Sequence, residues 1–217
     1  MKKLLIFDLD GTLADTLPSI TRAINMAAAE FGYPESSYED VRRAIGNGAR
    51  LLCRRRMPTP DADNDAKVSA FLACYEDKYD TTYAEADTCY DGMSETLAEL
   101  YARGYMIAVL SNKQDKYVKP IAAQLIPAPM LAYAAGQKDS EPKKPDPTVP
   151  LGIVKALEAD LEHCAFIGDS EVDVQTGKNM GVTSVGCDWG YRPREVLVDS
   201  GADFVISRPE DLLEIFK

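Results

Sequence analysis

The stretch FDLDGTLADT, Phe7 to Thr16, follows the apolar run Leu4-Leu5-Ile6-Phe7 and sets Asp8, Asp10 and Asp15 around a Gly-Thr turn. The apolar run reads as a buried strand. Carboxylates this close repel one another unless a cation or a proton neutralises them. The turn therefore points to a charged ligand at a strand end.

Working outward, short apolar runs alternate with helical periodicity from Tyr90 onward. The runs Leu4–Phe7, Met106–Leu110, Met130–Ala134, Cys164–Ile167, Thr183–Val185 and Phe204–Ile206 read as strands. Helical segments fall near 93–103, 115–125, 147–158, 171–180 and 209–216, with Gly104 and Gly181 placed as helix stops. The alternation predicts an α/β fold, a Rossmann-like parallel sheet core with helices on both faces. Between Leu17 and Thr88 there is no convincing strand. Leu17, Ile20, Ile24, Ala28 and Phe31 keep a helical period, as do Val68, Phe71, Leu72, Tyr75 and Tyr79. Ser37 with Asp40 suggests a capped helix start. The expected organisation is a core of residues 1–16 and 89–217, with a small all-α insertion at 17–88.

The chain has 217 residues, 46% hydrophobic and 27% charged, as in an ordinary soluble globular protein. Its net charge of -11 argues against nucleic acid as a partner. No run approaches the roughly 18 apolar residues of a membrane span, so no membrane partner is expected. The start MKKLLIFDLD is too short in apolar residues for a signal-peptide core, and Cys53, Cys74, Cys89, Cys164 and Cys187 are scattered with no CxxC. Reduced thiols and a cytoplasmic location are expected.

Polar residues collect at strand ends. Leu4–Phe7 runs into Asp8, Met106–Leu110 into Ser111-Asn112-Lys113, and Cys164–Ile167 into Gly168-Asp169-Ser170. Ligands of open α/β sheets bind outside the carboxyl ends of the strands, so Asp8, Ser111 and Asp169 would converge there. Lys144, in PKKPDP, lies in a loop that can join them. Carboxylates with a lysine and a hydroxyl suit a hard cation and a phosphoryl group, and Mg²⁺ is such a cation.

The segments DLDGTLADT, LSNK, KKPDP and IGDSEVDV, in this order from Asp8 to Asp173, resemble the four motifs of the haloacid dehalogenase superfamily. The insertion after the first motif resembles that superfamily's helical C1 cap. IGNGARLL and GVTSVGCDWGYRPREVL resemble the phosphoglycolate phosphatase-like branch. The resemblance implies a nucleophile at Asp8, a general acid–base at Asp10, a phosphoryl contact at Ser111 with Asn112 beside it, and Lys144 paired with the phosphoryl and Asp8. It implies Mg²⁺ held by Asp8, the Asp10 carbonyl and Asp169, supported by Asp173, and backbone N–H groups of Gly11 and Thr12 facing the phosphate. In the insertion, Gly46-Asn47-Gly48 reads either as a substrate-contact loop or as a plain helix break, and Arg50 is a further candidate substrate contact. Asp10 separates phosphate-ester chemistry from the dehalogenases and P-type ATPases, which as families lack an aspartate there.

The activity so implied is Mg²⁺-dependent hydrolysis of a small phosphorylated metabolite through an aspartyl-phosphate, phosphoglycolate first. β-Phosphoglucomutase, pyrophosphatase and a non-enzymatic phosphometabolite-binding protein are the alternatives. Monomer and homodimer both stay open. Simpler readings stand beside these. Asp173 with Ser170 fits a capping box, and Ser111 fits a helix N-cap. Arg42, Arg43, Arg50, Arg54, Arg55 and Arg56 form either an anion-recognising face or a solvated face with partners elsewhere in the insertion. Lys143 reads as solvated, the lone His163 as structural, and Asp15 as part of the hinge into the insertion. Asp91 stands where relatives usually have proline.

Overall fold

The computed structural model describes residues 2–83 and 88–217. Two compact units emerge, Met1–Asp15 with Cys89–Lys217, and Thr16–Thr88. Residues 84–87, near the end of the expected insertion, lie outside the described residues.

In the first unit β1 (Lys3–Phe7) is the central strand. Leu4, Leu5, Ile6 and Phe7 are each fully buried, as a parallel strand covered on both faces requires. The short strands β2 (Ala14–Asp15) and β3 (Thr88–Cys89) mark where the chain leaves this unit and returns. The main sheet is completed by β4 (Tyr105–Gln114), β5 (Leu131–Gln137), β6 (Cys164–Gly168), β7 (Thr183–Cys187) and β8 (Phe204–Ile206). Its order is β5-β4-β1-β6-β7-β8, and every pairing is parallel. Leu4 sits in register with Met106 on one side and Cys164 on the other. Strand order reverses across β1, which opens a crevice at the carboxyl ends of β1, β4 and β6.

β4 is longer than its apolar run predicts, because Ser111–Gln114 stays strand-like and rejoins β5 at Gln114↔Gln137 after a register shift. Ser111 is therefore strand, not a helix N-cap. The helix N-cap is Gln114, which makes no side-chain capping bond.

The helices in chain order are α1 (Leu17–Phe31), α2 (Tyr38–Ala44), α3 (Ala49–Arg56), α4 (Asp65–Thr82), α5 (Met93–Ala102), α6 (Asp115–Leu125), α7 (Thr148–Ala156), α8 (Glu171–Met180), α9 (Arg194–Asp199) and α10 (Leu212–Ile215). α9 has no counterpart in the sequence reading, since only Leu197 of its short span is buried. α8 ends on Gly181 at φ 72°, a left-handed stop open to glycine at little cost. The core on one side of the sheet joins Leu4, Ile6, Leu110 and Phe166 to Ile153 and Met180.

The second unit holds α1 to α4. Ile20, Ile24, Ala27 and Ala28 of α1 are buried, as are Val68, Phe71, Tyr75 and Tyr79 of α4. Phe31 meets Phe71 edge-on at 5.3 Å, a favourable aromatic geometry. Ser37 and Asp40 form a reciprocal capping box at α2. Among the described residues, no helix is long and apolar enough to cross a membrane.

Candidate active site

Asp8 is the first residue past β1, and its N–H donates to Ile167 O at 2.9 Å. The chain then turns tightly: Leu13 N donates to Leu9 O at 3.1 Å, and Gly11 N to Ala14 O at 2.9 Å. Thr12 N donates to Leu9 O at 3.3 Å. The N–H groups of Gly11 and Thr12, expected to face a phosphate, thus close the turn in this structure. Gly11 serves a different need. It has φ 82°, and a Cβ there would lie 2.5 Å from Asp169 Oδ2. Only glycine allows this approach.

Lys144 reaches the site from the loop between β5 and α7. Its ammonium lies 2.9 Å from Asp8 Oδ1 and 2.7 Å from Asp173 Oδ1, with its side chain 3% exposed. Neighbouring Lys143 is exposed, as expected. Asn112 holds the Lys144 backbone from both sides: Lys144 N donates to Asn112 Oδ1 at 2.9 Å, and Asn112 Nδ2 donates to Lys144 O at 3.2 Å. Asn112 was expected beside the phosphoryl; here it clamps the lysine loop. Ser111, buried, ends the apolar part of β4.

Asp169 and Asp173 follow β6. Asp173 completes a capping box, accepting from Ser170 N at 3.1 Å and Ser170 Oγ at 2.6 Å. The capping job is thus filled by one oxygen, while the other, Oδ1, takes Lys144. Asp169 Oδ2 accepts from Tyr191 N at 2.6 Å, and Thr12 Oγ1 lies 3.5 Å from Asp169 Oδ1. The segment after β7 closes over this pair. Trp189 Nε1 donates to Thr12 O at 3.1 Å, and a Cβ on Gly190 would stand 2.3 Å from both Asp169 Cβ and Gly11 O. Trp189, Gly190 and Tyr191 carried no site expectation. The chain's single tryptophan beside a glycine was the available signal. Lys113 was missed as well: its Nζ lies 2.7 Å from Asp10 Oδ1.

The electrostatics follow from burial. The Asp8 carboxyl is pushed up to about 6 by burial, a rise that Lys144 opposes and Asp173 and Asp10 reinforce. Burial also holds Asp169 well above the usual carboxylate range, helped by Asp173 and Asp8. For Lys144, burial alone would lower its value, yet Asp173 and Asp8 outweigh it and keep the ammonium charged.

Asp8, Asp169 and Asp173 bring carboxylate oxygens within 4.8 Å of one another, an all-oxygen set that can hold a metal ion. Asp8 Oδ1 is buried, with the Lys144 ammonium 2.9 Å away as its ion-pair partner. Asp8, Asp10, Asp169 and Asp173 carry four negative charges when ionised, against two on Lys113 and Lys144. Arg192 nearby is paired with Glu171 at 3.4 Å. A divalent cation fits both the donor set and the charge difference.

Other expected residues lie apart from this cluster. His163 sits in a turn before β6, its N–H bonded to Asp160 O. Asp15 lies in β2, where the first segment of the first unit ends. In the second unit Gly46, Asn47 and Gly48 form the break between α2 and α3, with φ 116° at Gly46 and 89° at Gly48. Arg50 donates to Ser69 Oγ at 3.0 Å and lies 3.4 Å from Asp65, which also takes Arg54. Arg42 and Arg43 pair with Glu39, Arg56 donates to Ser36 Oγ, and Arg55 donates to Ala44 O. Each of these arginines thus has a partner within its own unit.

Residues 5–187 match the family model described as haloacid dehalogenase-like hydrolase. The chain belongs to that family. This haloacid dehalogenase-like hydrolase is 32% identical over 216 residues to phosphoglycolate phosphatase 1 of Pseudomonas aeruginosa, covering 98% of this chain and 79% of that one. It is 31% identical to the phosphoglycolate phosphatase of Vibrio cholerae, covering 98% and 96%. Its fold matches the crystal structure of a predicted phosphoglycolate phosphatase from Haemophilus somnus 129PT. That match has a TM-score of 0.90 at 28% identity and covers 100% of this chain and 98% of that one. The six-stranded parallel sheet and its surrounding helices are thus the family's α/β fold.

Proposed function

We propose that the protein is a Mg²⁺-dependent phosphomonoester hydrolase acting through an aspartyl-phosphate on Asp8, with 2-phosphoglycolate as its first substrate. The observation that carries this reading is the bridge Asp8–Lys144–Asp173, buried at the carboxyl end of β1 with Asp10 beside it. The near full-length similarity to phosphoglycolate phosphatases supports the substrate.

Asp8, Asp169 and the Asp10 carbonyl would hold Mg²⁺, with Asp173 behind them. When bound, the ion neutralises phosphoryl charge and orients the ester for attack. Asp8 Oδ attacks phosphorus, and the bond to the leaving oxygen breaks. Asp10 gives its proton to that oxygen, then takes one from the water that attacks the aspartyl-phosphate. Inorganic phosphate leaves and the Asp8 carboxylate is restored. Ser111 donates its hydroxyl to the transferring phosphoryl, and Lys144 neutralises it. We assign substrate choice to the helical unit, with its Gly46-Asn47-Gly48 break and Arg50 as the residues to vary.

The test is phosphate release from 2-phosphoglycolate, sugar phosphates, nucleotides and pyrophosphate, with and without Mg²⁺. Release from 2-phosphoglycolate that requires Mg²⁺ and disappears in Asp8→Asn is the expected result. Conversion of a hexose 1-phosphate to the 6-phosphate would replace hydrolase by mutase. Release from none of them would remove the enzymatic reading.

A further inference from the structure

Lys113 lies in the polar run Ser111–Gln114 that ends β4, and the chemistry above gives it no part. Its Nζ lies 2.7 Å from Asp10 Oδ1, and the two side chains are 7% and 12% exposed. The lysine's backbone is tightly held. Lys113 N donates to Ser111 Oγ at 3.3 Å, and a Cβ on Gly136 of β5 would fall 2.5 Å from Lys113 O. The ammonium is thus carried on sheet, where placement is firmer than on a loop. Lys144 is already engaged by Asp8 and Asp173. With Asp8 close by, a partly buried Asp10 carboxylate would turn away from its neighbours unless a cation held it.

We propose that Lys113 is a positioning residue, fixing the Asp10 carboxylate where it serves the leaving oxygen without itself touching substrate. This rests on Asp10 being the acid–base of the reaction proposed above. It has a consequence that a merely structural lysine would not. Losing Lys113 should harm a reaction in proportion to its need for a proton on the leaving oxygen. Glycolate leaves as an alkoxide and needs that proton. The p-nitrophenolate ion is stable near neutral pH and needs little help.

The experiment compares kcat/KM, which reports formation of the aspartyl-phosphate, for 2-phosphoglycolate and p-nitrophenyl phosphate with Mg²⁺. Lys113→Met is expected to lower the value for 2-phosphoglycolate about 10²-fold, the scale of a misplaced catalytic group. The loss on p-nitrophenyl phosphate should be about tenfold smaller, since general acid help of roughly 10²–10⁴ is not needed there. Lys113→Arg keeps the charge and should recover part of the selective loss. Thermal unfolding checks each variant, and Lys113→Gln supplies the same ratio where the methionine variant does not fold. In an Asp10→Asn background, Lys113→Met should add no further loss on 2-phosphoglycolate. Equal losses on both esters, or losses that add to those of Asp10→Asn, would overturn the proposal. Wild-type protein that hydrolyses no ester would instead overturn the function it rests on.

Discussion

Lys144→Met removes the cation at the centre of the site while nearly keeping side-chain volume. In the native protein this ammonium sits between Asp8 Oδ1 at 2.9 Å and Asp173 Oδ1 at 2.7 Å, almost wholly buried. Taking one partner from a buried ion pair costs about 3–5 kcal/mol, because the remaining charge is left in a poor solvent. For a chain of this size about 1 kcal/mol moves Tm by roughly 2–4 °C, so the metal-free variant should melt about 6–20 °C lower. The loss should depend on pH. The folded Asp8 carboxyl ionises near 6 against an ordinary value of 3.8. Between these values the folded state keeps a proton that the unfolded state releases. This contribution is fully present below about pH 4 and lost as pH rises through about 6, a change of order 3 kcal/mol. Removing Lys144 takes away the interaction that lowers the Asp8 value, so the decline continues to higher pH. The Tm gap between native and variant protein should therefore be wider near pH 8 than near pH 5. Differential scanning calorimetry across that range reads it directly. Equal melting at pH about 8, or a gap that widens on acidification, would refute the reasoning.

Three further outcomes are expected. Gly190→Ala puts a methyl 2.3 Å from Asp169 Cβ and Gly11 O, so urea denaturation should show a loss of about 1–3 kcal/mol and phosphate release should fall with it. Asn112→Leu strips the Lys144 N–H and C=O of their side-chain partner, which should cost about 1–3 kcal/mol in the same assay and lower activity by loosening Lys144. Cys53, Cys164 and Cys187 are buried, so a thiol reagent should label only Cys74 and Cys89 before unfolding, and slowly, since burial raises both thiols.

Much of the fold was legible because each central strand is a nearly pure apolar run bounded by a polar residue. Asp8, Ser111 and Asp169 could be placed at strand ends for that reason. β4 outran its apolar run because Ser111–Gln114 takes its place from pairing with β5, which single-residue hydrophobicity does not report. α9 escaped because it buries little more than Leu197. Within the site, Lys144 stood out through its Lys-Pro context, while Lys113 looked like any lysine at a strand end. Its partner lies 103 positions away. The support from Tyr191 is a backbone N–H, which leaves no trace in residue type. Gly11 was visible as a glycine, but the need for a missing Cβ beside Asp169 was not.

The central claim is that Asp8 becomes phosphorylated. Protein mixed with 2-phosphoglycolate and Mg²⁺, quenched in acid and reduced with borohydride, should convert the phosphorylated carboxyl to homoserine. Mass spectrometry of the peptides should find homoserine at position 8, and not at Asp10, Asp169 or Asp173. Homoserine at another position, or undiminished phosphate release by Asp8→Asn, would contradict the claim.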